Sequence, residues 1–210
     1  MIESSLGMSS RSPETREQMV VRVLRHLQRN SIARFPLGPG ATRGRITNIA
    51  TPLASPLTKM PCAAFSVTAF WQRGEQWLPL VAEQASSEFE MADRTGAARV
   101  DAHAADVALT WSHNVHVIDG ASVLPAALAL LERHGYRPAG VPLLFSEYVL
   151  KPGDEVAVCG IGGREPDPAS EAAPWRLVIR PSVEFPLALS NLPSAIDESG
   201  QRIRPRDVTG

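Results

Sequence analysis

The sequence predicts a mainly β fold, α+β only at its margins, in which short strands form the body of one domain and helices are few. Two observations carry that expectation. From Arg43 onward apolar residues recur at every second position in short runs, and clusters of Gly, Pro, Asp and Arg interrupt those runs at the spacing of hairpins. Only two stretches, around Val23 and around Leu128, keep a helical period. A length of 210 residues, with 44% apolar and 20% charged positions, suits a single domain with a core of its own.

Residues 1–11 are small and polar and read as a flexible tail. Ser12-Pro13-Glu14 then offers a helix start: a serine cap, a proline at the first helical position and an acid near the positive end of the dipole. An amphipathic helix is expected over residues 12–30. Met19, Val20, Val23, Leu24 and Leu27 fall on one face, and Gln18, Arg22, Arg25 and Arg29 on the opposite one. The face carrying Arg22, Arg25 and Arg29 is a candidate docking surface for an acidic partner or, peripherally, for an anionic membrane. Packing of such a helix against its own domain is the commoner arrangement. Pro36-Leu37-Gly38-Pro39-Gly40 supports neither helix nor central strand, and is expected to be a linker into a β domain over residues 41–196.

Strands are expected at Gly44 to Ile49 and at Ala64 to Trp71, where Phe65, Val67, Ala69 and Trp71 alternate with Ser66, Thr68 and Phe70. Trp77 to Ala82 returns after a turn at Gln72 to Glu75. Phe89 to Ala92 and Ala97 to Val100 flank Asp93-Arg94-Thr95-Gly96, where the aspartate caps the turn and the glycine is expected to take a positive φ. Ser122 to His134 reads as an inserted helix ended by Gly135. Ser146 to Leu150, Glu155 to Ile161 and Trp175 to Ile179 complete the set, with Lys151-Pro152-Gly153-Asp154 as a turn. Six or seven strands with short antiparallel connections leave a small closed barrel or a sandwich, and an antiparallel OB-like barrel is preferred because closure removes exposed edges. Residues 197–210, charged and without period, read as a second flexible tail.

A formal net charge of -1 gives no whole-molecule attraction to nucleic acid or anionic lipid. Cys62 and Cys159 stand far apart and outside any CxxC or Cys/His ligand spacing, which indicates neither a disulfide framework nor a zinc module and suits a reducing cytoplasm. No export signal is legible at the N-terminus, and no stretch approaches the roughly 18 apolar residues of a membrane span. A soluble, cytoplasmic protein is expected.

Several short motifs occur in a distinctive order. Arg43-Gly44-Arg45-Ile46 is followed by Pro52-Leu53-Ala54-Ser55-Pro56-Leu57-Thr58 and by Pro61-Cys62-Ala63-Ala64-Phe65. Then come Phe89-Glu90-Met91-Ala92-Asp93-Arg94-Thr95-Gly96 and Glu147-Tyr148-Val149-Leu150-Lys151-Pro152-Gly153-Asp154, with Val158-Cys159-Gly160 and Leu189-Ser190 behind them. The order resembles the GIDE, or beside-a-membrane (BAM), domain of membrane-anchored mitochondrial RING-type E3 ubiquitin ligases, with its "L-x-S-P-x-T … P-C", "F-x-L-x-D-x-T-G" and "E-x-x-L-x-P-G-D" passages. The resemblance implies a protein-recognition or regulatory role, with Ser55, Pro56, Cys62, Asp93, Thr95, Gly96, Glu147, Pro152, Gly153 and Asp154 as the motif residues, mostly structural. Ligase activity is not implied, because in that family it resides in a RING whose two zincs need about eight Cys/His ligands.

Other chemical candidates are weaker than their plain readings. His113 and His116 form an HxxH pair without the Glu or third ligand of a zinc site. Both cysteines lie in apolar strand runs, where the residue behaves as a small hydrophobe. Val156 to Gly163 looks like a strand entering a nucleotide loop, but Arg164-Glu165-Pro166-Asp167-Pro168 cannot open the helix that would hold a pyrophosphate. Asp93 and Glu147 as an acid–base pair are already explained by turn and motif roles. No catalytic residue, metal or cofactor is therefore assigned. The expected function is a non-enzymatic protein-binding or regulatory module with an unidentified protein partner. The alternative is single-stranded nucleic-acid binding through an OB-like face, with Phe65, Phe70, Trp71 and Trp77 stacking on bases.

Overall fold

A capping box at Thr15 starts the first helix of the computed structural model, which describes residues 15–109, 115–118, 125–137, 140–167 and 175–196. The Thr15 hydroxyl accepts from the Gln18 amide at 3.2 Å and Gln18 Oε1 accepts from the Thr15 amide at 3.0 Å, satisfying two donors that a helix start leaves open. Helix α1 spans Arg16–His26, shorter than expected. The expected cap Ser12 lies outside the described residues. At the other end Leu27 is already extended, and the Asn30 amide donates to the Ala41 carbonyl, so Arg29 sits beyond the helix. Val20 and Leu24 are buried among Ala41, Ala157, Cys159 and Ala195, worth about 3–6 kcal/mol for two such side chains.

After a 3-10 turn at Ile32–Arg34 the strands are, in chain order, β1 (Pro39–Asn48), β2 (Leu53–Ala54), β3 (Pro61–Cys62), β4 (Ala64–Arg73), β5 (Gln76–Ser86), β6 (Phe89–Ala92), β7 (Ala97–Val100), β8 (Asp106–Ala108), β9 (Val115–Ile118), β10 (Leu143–Leu150), β11 (Glu155–Pro166), β12 (Trp175–Arg180) and β13 (Ala188–Ser190). Helix α2 (Pro125–Arg133) precedes β10 and helix α3 (Pro193–Ile196) follows β13. Pro39 and Gly40 belong to β1 rather than to a linker, paired with Ile161 and Gly160. Proline is tolerated there because it is the first residue of the strand.

Five strands close a barrel in the order β1, β6, β7, β12, β11 and back to β1, around Ile46, Phe89, Met91, Val100, Val158 and Ile179. It is not wholly antiparallel as expected: β7 and β12 run parallel. The reason is parity. β1 pairs antiparallel with both β6 and β11, each turns back into its neighbour, and the two returning strands must then point the same way. β13 and β8 extend β11 on the barrel's flank, themselves parallel.

The remaining long strands form a separate four-stranded sheet, β5-β4-β10-β9, that the sequence reading had merged into the barrel. β4 and β5 come from the excursion between β1 and β6, and β9, α2 and β10 from that between β7 and β11. Helix α2 covers one face of this sheet, with Leu130 and Leu131 on Val67, Val81, Leu143 and Phe145. It ends as anticipated at Gly135, whose positive φ lets the Gly135 and Tyr136 amides reach the Glu132 and Leu131 carbonyls.

Lys151 to Asp154 is a turn, as expected, and it forms the corner between the two sheets, since β10 pairs with β4 and β9 while β11 pairs with β1, β12 and β13. Gly153 takes φ +90° and donates to the Ile46 carbonyl at 2.9 Å, Ile46 donates to the Asp154 carbonyl at 2.9 Å, and Asp154 Oδ2 accepts from the Lys151 amide. Among the described residues no helix is long and apolar enough to cross a membrane.

Candidate functional site

Glu147 sits at 3% exposure on the face of β10 that packs under α2, opposite Val67. A carboxylate there must be paired or saturated with donors, because desolvating it alone would cost several kcal/mol. The loop between β2 and β3 supplies the donors. Oε1 accepts from the Leu57 amide at 2.6 Å, and Oε2 from the Thr58 amide at 3.1 Å, the Ser55 hydroxyl at 3.1 Å and the Thr58 hydroxyl at 2.5 Å. Ser55 Oγ also accepts from the Met60 amide, and Leu57 inserts its side chain into the core below. Two motif segments more than 85 residues apart thus meet at one carboxylate. Cys62, at the end of the same loop, is fully buried, and burial together with the Glu147 charge pushes its thiol up to about 11.

Asp93 builds the second junction. Its Oδ1 accepts from the Thr95 amide and hydroxyl, each at 2.6 Å, and from the Gly96 amide at 3.0 Å, while Oδ2 accepts from the Ile32 amide at 2.8 Å. Thr95 Oγ1 in turn accepts from the Ala33 amide. Burial works to raise the Asp93 pKa, but the Thr95 hydroxyl and the Ile32, Thr95 and Gly96 amides outweigh it and hold the carboxyl below its usual range. Gly96 is not in the positive-φ region expected of it; it contributes its amide, and a Cβ there would meet Ile32 only at 3.5 Å, an ordinary contact. The hairpin tip therefore clamps the segment that joins α1 to the barrel.

The arginines foreseen as a docking face separate. Arg25 Nε donates to the Ser194 carbonyl at 3.2 Å, and Arg29 and Arg43 both donate to the Ile196 carbonyl at 2.9 Å, capping the C-terminal end of α3, where carbonyls are otherwise unsatisfied. Arg22 is exposed on α1. Of the other motif residues, Pro56 is buried in the β2–β3 loop and Pro152 is exposed at the corner. His113 lies outside the described residues, as does the side chain of His116. Asp93 and Glu147 serve unconnected networks with their acceptor positions filled. Val156 to Gly163 is uninterrupted strand within β11. Cys159 is fully buried, and burial pushes its thiol up to about 11 as well. Among the described residues no group of three His, Cys, Asp or Glu side chains could hold a metal ion.

The outer face of the barrel carries what the sequence reading missed. Arg99 on β7 lies between Glu88, at 2.8 Å, and Glu165 of β11; Arg180 of β12 reaches Glu165 at 2.6 Å, and Arg176 approaches Glu90 of β6 at 3.7 Å. Three arginines meet three glutamates across β6, β7, β12 and β11. Trp175 stands 57% exposed at the start of β12, on the side of the strand opposite Arg176 and Arg180. The aromatics proposed to stack on bases are elsewhere, on β4 and β5: Phe65 is buried in the core under α2, and Trp77 is 37% exposed. Partners 11 and 66 residues apart leave no local spacing by which the ion pairs could have been found. The chain matches no family model, and no curated protein or solved structure matches it significantly.

Proposed function

We propose that the chain is a non-enzymatic protein-binding or regulatory module, GIDE-like in its motifs, built on an OB-like barrel. The strand order, first, second, third, fifth, fourth and back to first with a parallel third–fifth pair once the two excursions are set aside, supports the OB-like reading. The observation that carries the protein-binding reading is the balanced Arg–Glu stripe on β6, β7, β12 and β11. A groove for single-stranded nucleic acid carries unneutralised cations along the backbone path, whereas interleaved charges of both signs suit a protein surface and its specificity. The buried, saturated Glu147 and the raised thiols also leave these groups to structure rather than to acid–base or nucleophilic work.

Nucleic-acid binding remains the second reading. The barrel architecture taken alone favours it, as does exposed Trp175 at the rim with Arg164 nearby on β11. A tagged pull-down from the native host, with and without nuclease, separates the two. A specific, nuclease-resistant protein that is lost on Arg176→Glu/Arg180→Glu supports the proposal. Recovery that disappears with nuclease, or with modest salt, transfers the barrel face to the second reading.

A further inference from the structure

The flank of α1 beside α3, where Val21 is half-buried and Arg25 reaches Ser194, is complementary to itself. A shallow groove of about 380 Å³ runs along it, lined by Leu192 and by α1 residues that include Glu17, Gln18, Val21, Arg22 and Arg25. Glu17, Val21 and Arg25 follow one another at four-residue spacing, so they stack on one stripe, with Glu17 and Arg25 about 12 Å apart along the axis and Val21 midway. Among the described residues the Glu17 carboxylate has no hydrogen-bond or ion-pair partner, and Arg25 uses only Nε, on Ser194, which leaves its two terminal nitrogens unengaged. The stripe is thus acidic at one end, basic at the other and apolar at its centre.

We propose that this stripe binds a second copy of the chain. Two α1 helices laid antiparallel across a two-fold axis at Val21 place each Glu17 against the other copy's Arg25 and bring the two Val21 side chains together. That is an isologous contact, in which one patch serves both subunits. A uniformly acidic peptide fits less well, because Glu17 lines the same groove and would repel it. Arg22 lies one residue from the axis and opposes the contact. The small groove likewise places the interface at the weak end of the size range. Self-association of this kind does not depend on which partner the barrel takes.

The test is sedimentation equilibrium of the full chain at low salt, from micromolar to several hundred micromolar. The wild type is expected to form a concentration-dependent dimer. Glu17→Arg and Arg25→Glu should each weaken it by about tenfold or more, since two symmetric pairs become repulsive. The combined Glu17→Arg/Arg25→Glu variant should return to within about threefold of wild type. Arg25 also holds α3, so Val21→Glu serves as a disruption that leaves that bond in place, with circular dichroism confirming the fold of every variant. A monomeric wild type at all concentrations overturns the proposal. So does a charge-swapped variant as weak as its parents, or a Val21→Glu protein that dimerises like the wild type.

Discussion

Glu147 accepts four hydrogen bonds from one loop, so a change that preserves its shape while altering one oxygen isolates the role of its charge. Glu147→Gln presents an amide N–H₂ to donors that previously met an acceptor, and the expected loss is about 3 kcal/mol. It should be read as a lower denaturant midpoint at an unchanged m-value. A loss below about 1 kcal/mol would mean that the loop does not depend on this carboxylate. Asp93 gives a pH signature. Its carboxyl is held below the ordinary value of 3.8, so its contribution to stability is full above that pH and is lost as the pH falls through the lower folded-state value. The stability gap between wild type and Asp93→Asn, measured by urea unfolding, should therefore be constant near neutrality and shrink below about pH 4. A gap that stays unchanged down to pH 2 would remove the clamp. With thiols near 11, Cys62 and Cys159 should both resist an aromatic disulfide reagent at pH 7.5 until the protein is unfolded. Rapid modification of either in the native state would show that it is accessible.

At the scale of elements, the segment between the 3-10 turn and β1 is seated by a close approach to β11. A Cβ at Gly162 would lie 2.2 Å from the Pro36 carbonyl oxygen and 2.6 Å from Phe35, whereas one at Gly163 would meet nothing nearer than 3.5 Å. Gly162→Ala should thus cost roughly 2 kcal/mol or more and expose the segment to trypsin after Arg34, while Gly163→Ala should stay near wild type in both respects. Equal behaviour of the two variants would deny the close contact. The strands most legible in the sequence were β4, β6 and β7, with clean alternation, because period two reports which side chains share a face, and β11, a continuous apolar run bounded by a turn. It does not report which strand lies alongside. That is why β4, β5 and β10 were assigned to the barrel, and why the turn at Lys151 to Asp154 did not show that it joins two different sheets. β2, β3 and β8 have two or three residues each, too few to hold a pattern. The motif residues were easier to find than to interpret: Ser55 and Glu147 are in the sequence motifs, but their meeting depends on β10 lying beside β4 and on the loop folding back over both.

For the whole molecule, two long excursions from a five-stranded ring fold together into a second sheet with its own helix and core. Each excursion supplies two strands to that sheet, so neither can bury its apolar face without the other. The barrel and the sheet are further joined at Lys151 to Asp154 and through the Ser86 hydroxyl at the end of β5, which donates to the Ala102 carbonyl just after β7. The closed barrel was legible because many short strands and few helices favour closure, but its parallel pair follows from the odd number of strands, a property no single segment carries. Function was the least legible level, since the Glu88, Arg99, Glu165 and Arg180 array exists only after closure brings β6, β7, β12 and β11 side by side. The most direct measurement of what that face does is the fluorescence anisotropy of a labelled single-stranded oligonucleotide titrated with the full chain, at low salt and again at physiological salt. If the paired charges leave no path for a phosphate backbone, anisotropy stays flat at both. A saturable rise at low salt that weakens steeply with added salt and is lost in Arg176→Glu/Arg180→Glu would contradict the protein-binding reading and make the barrel a single-strand reader.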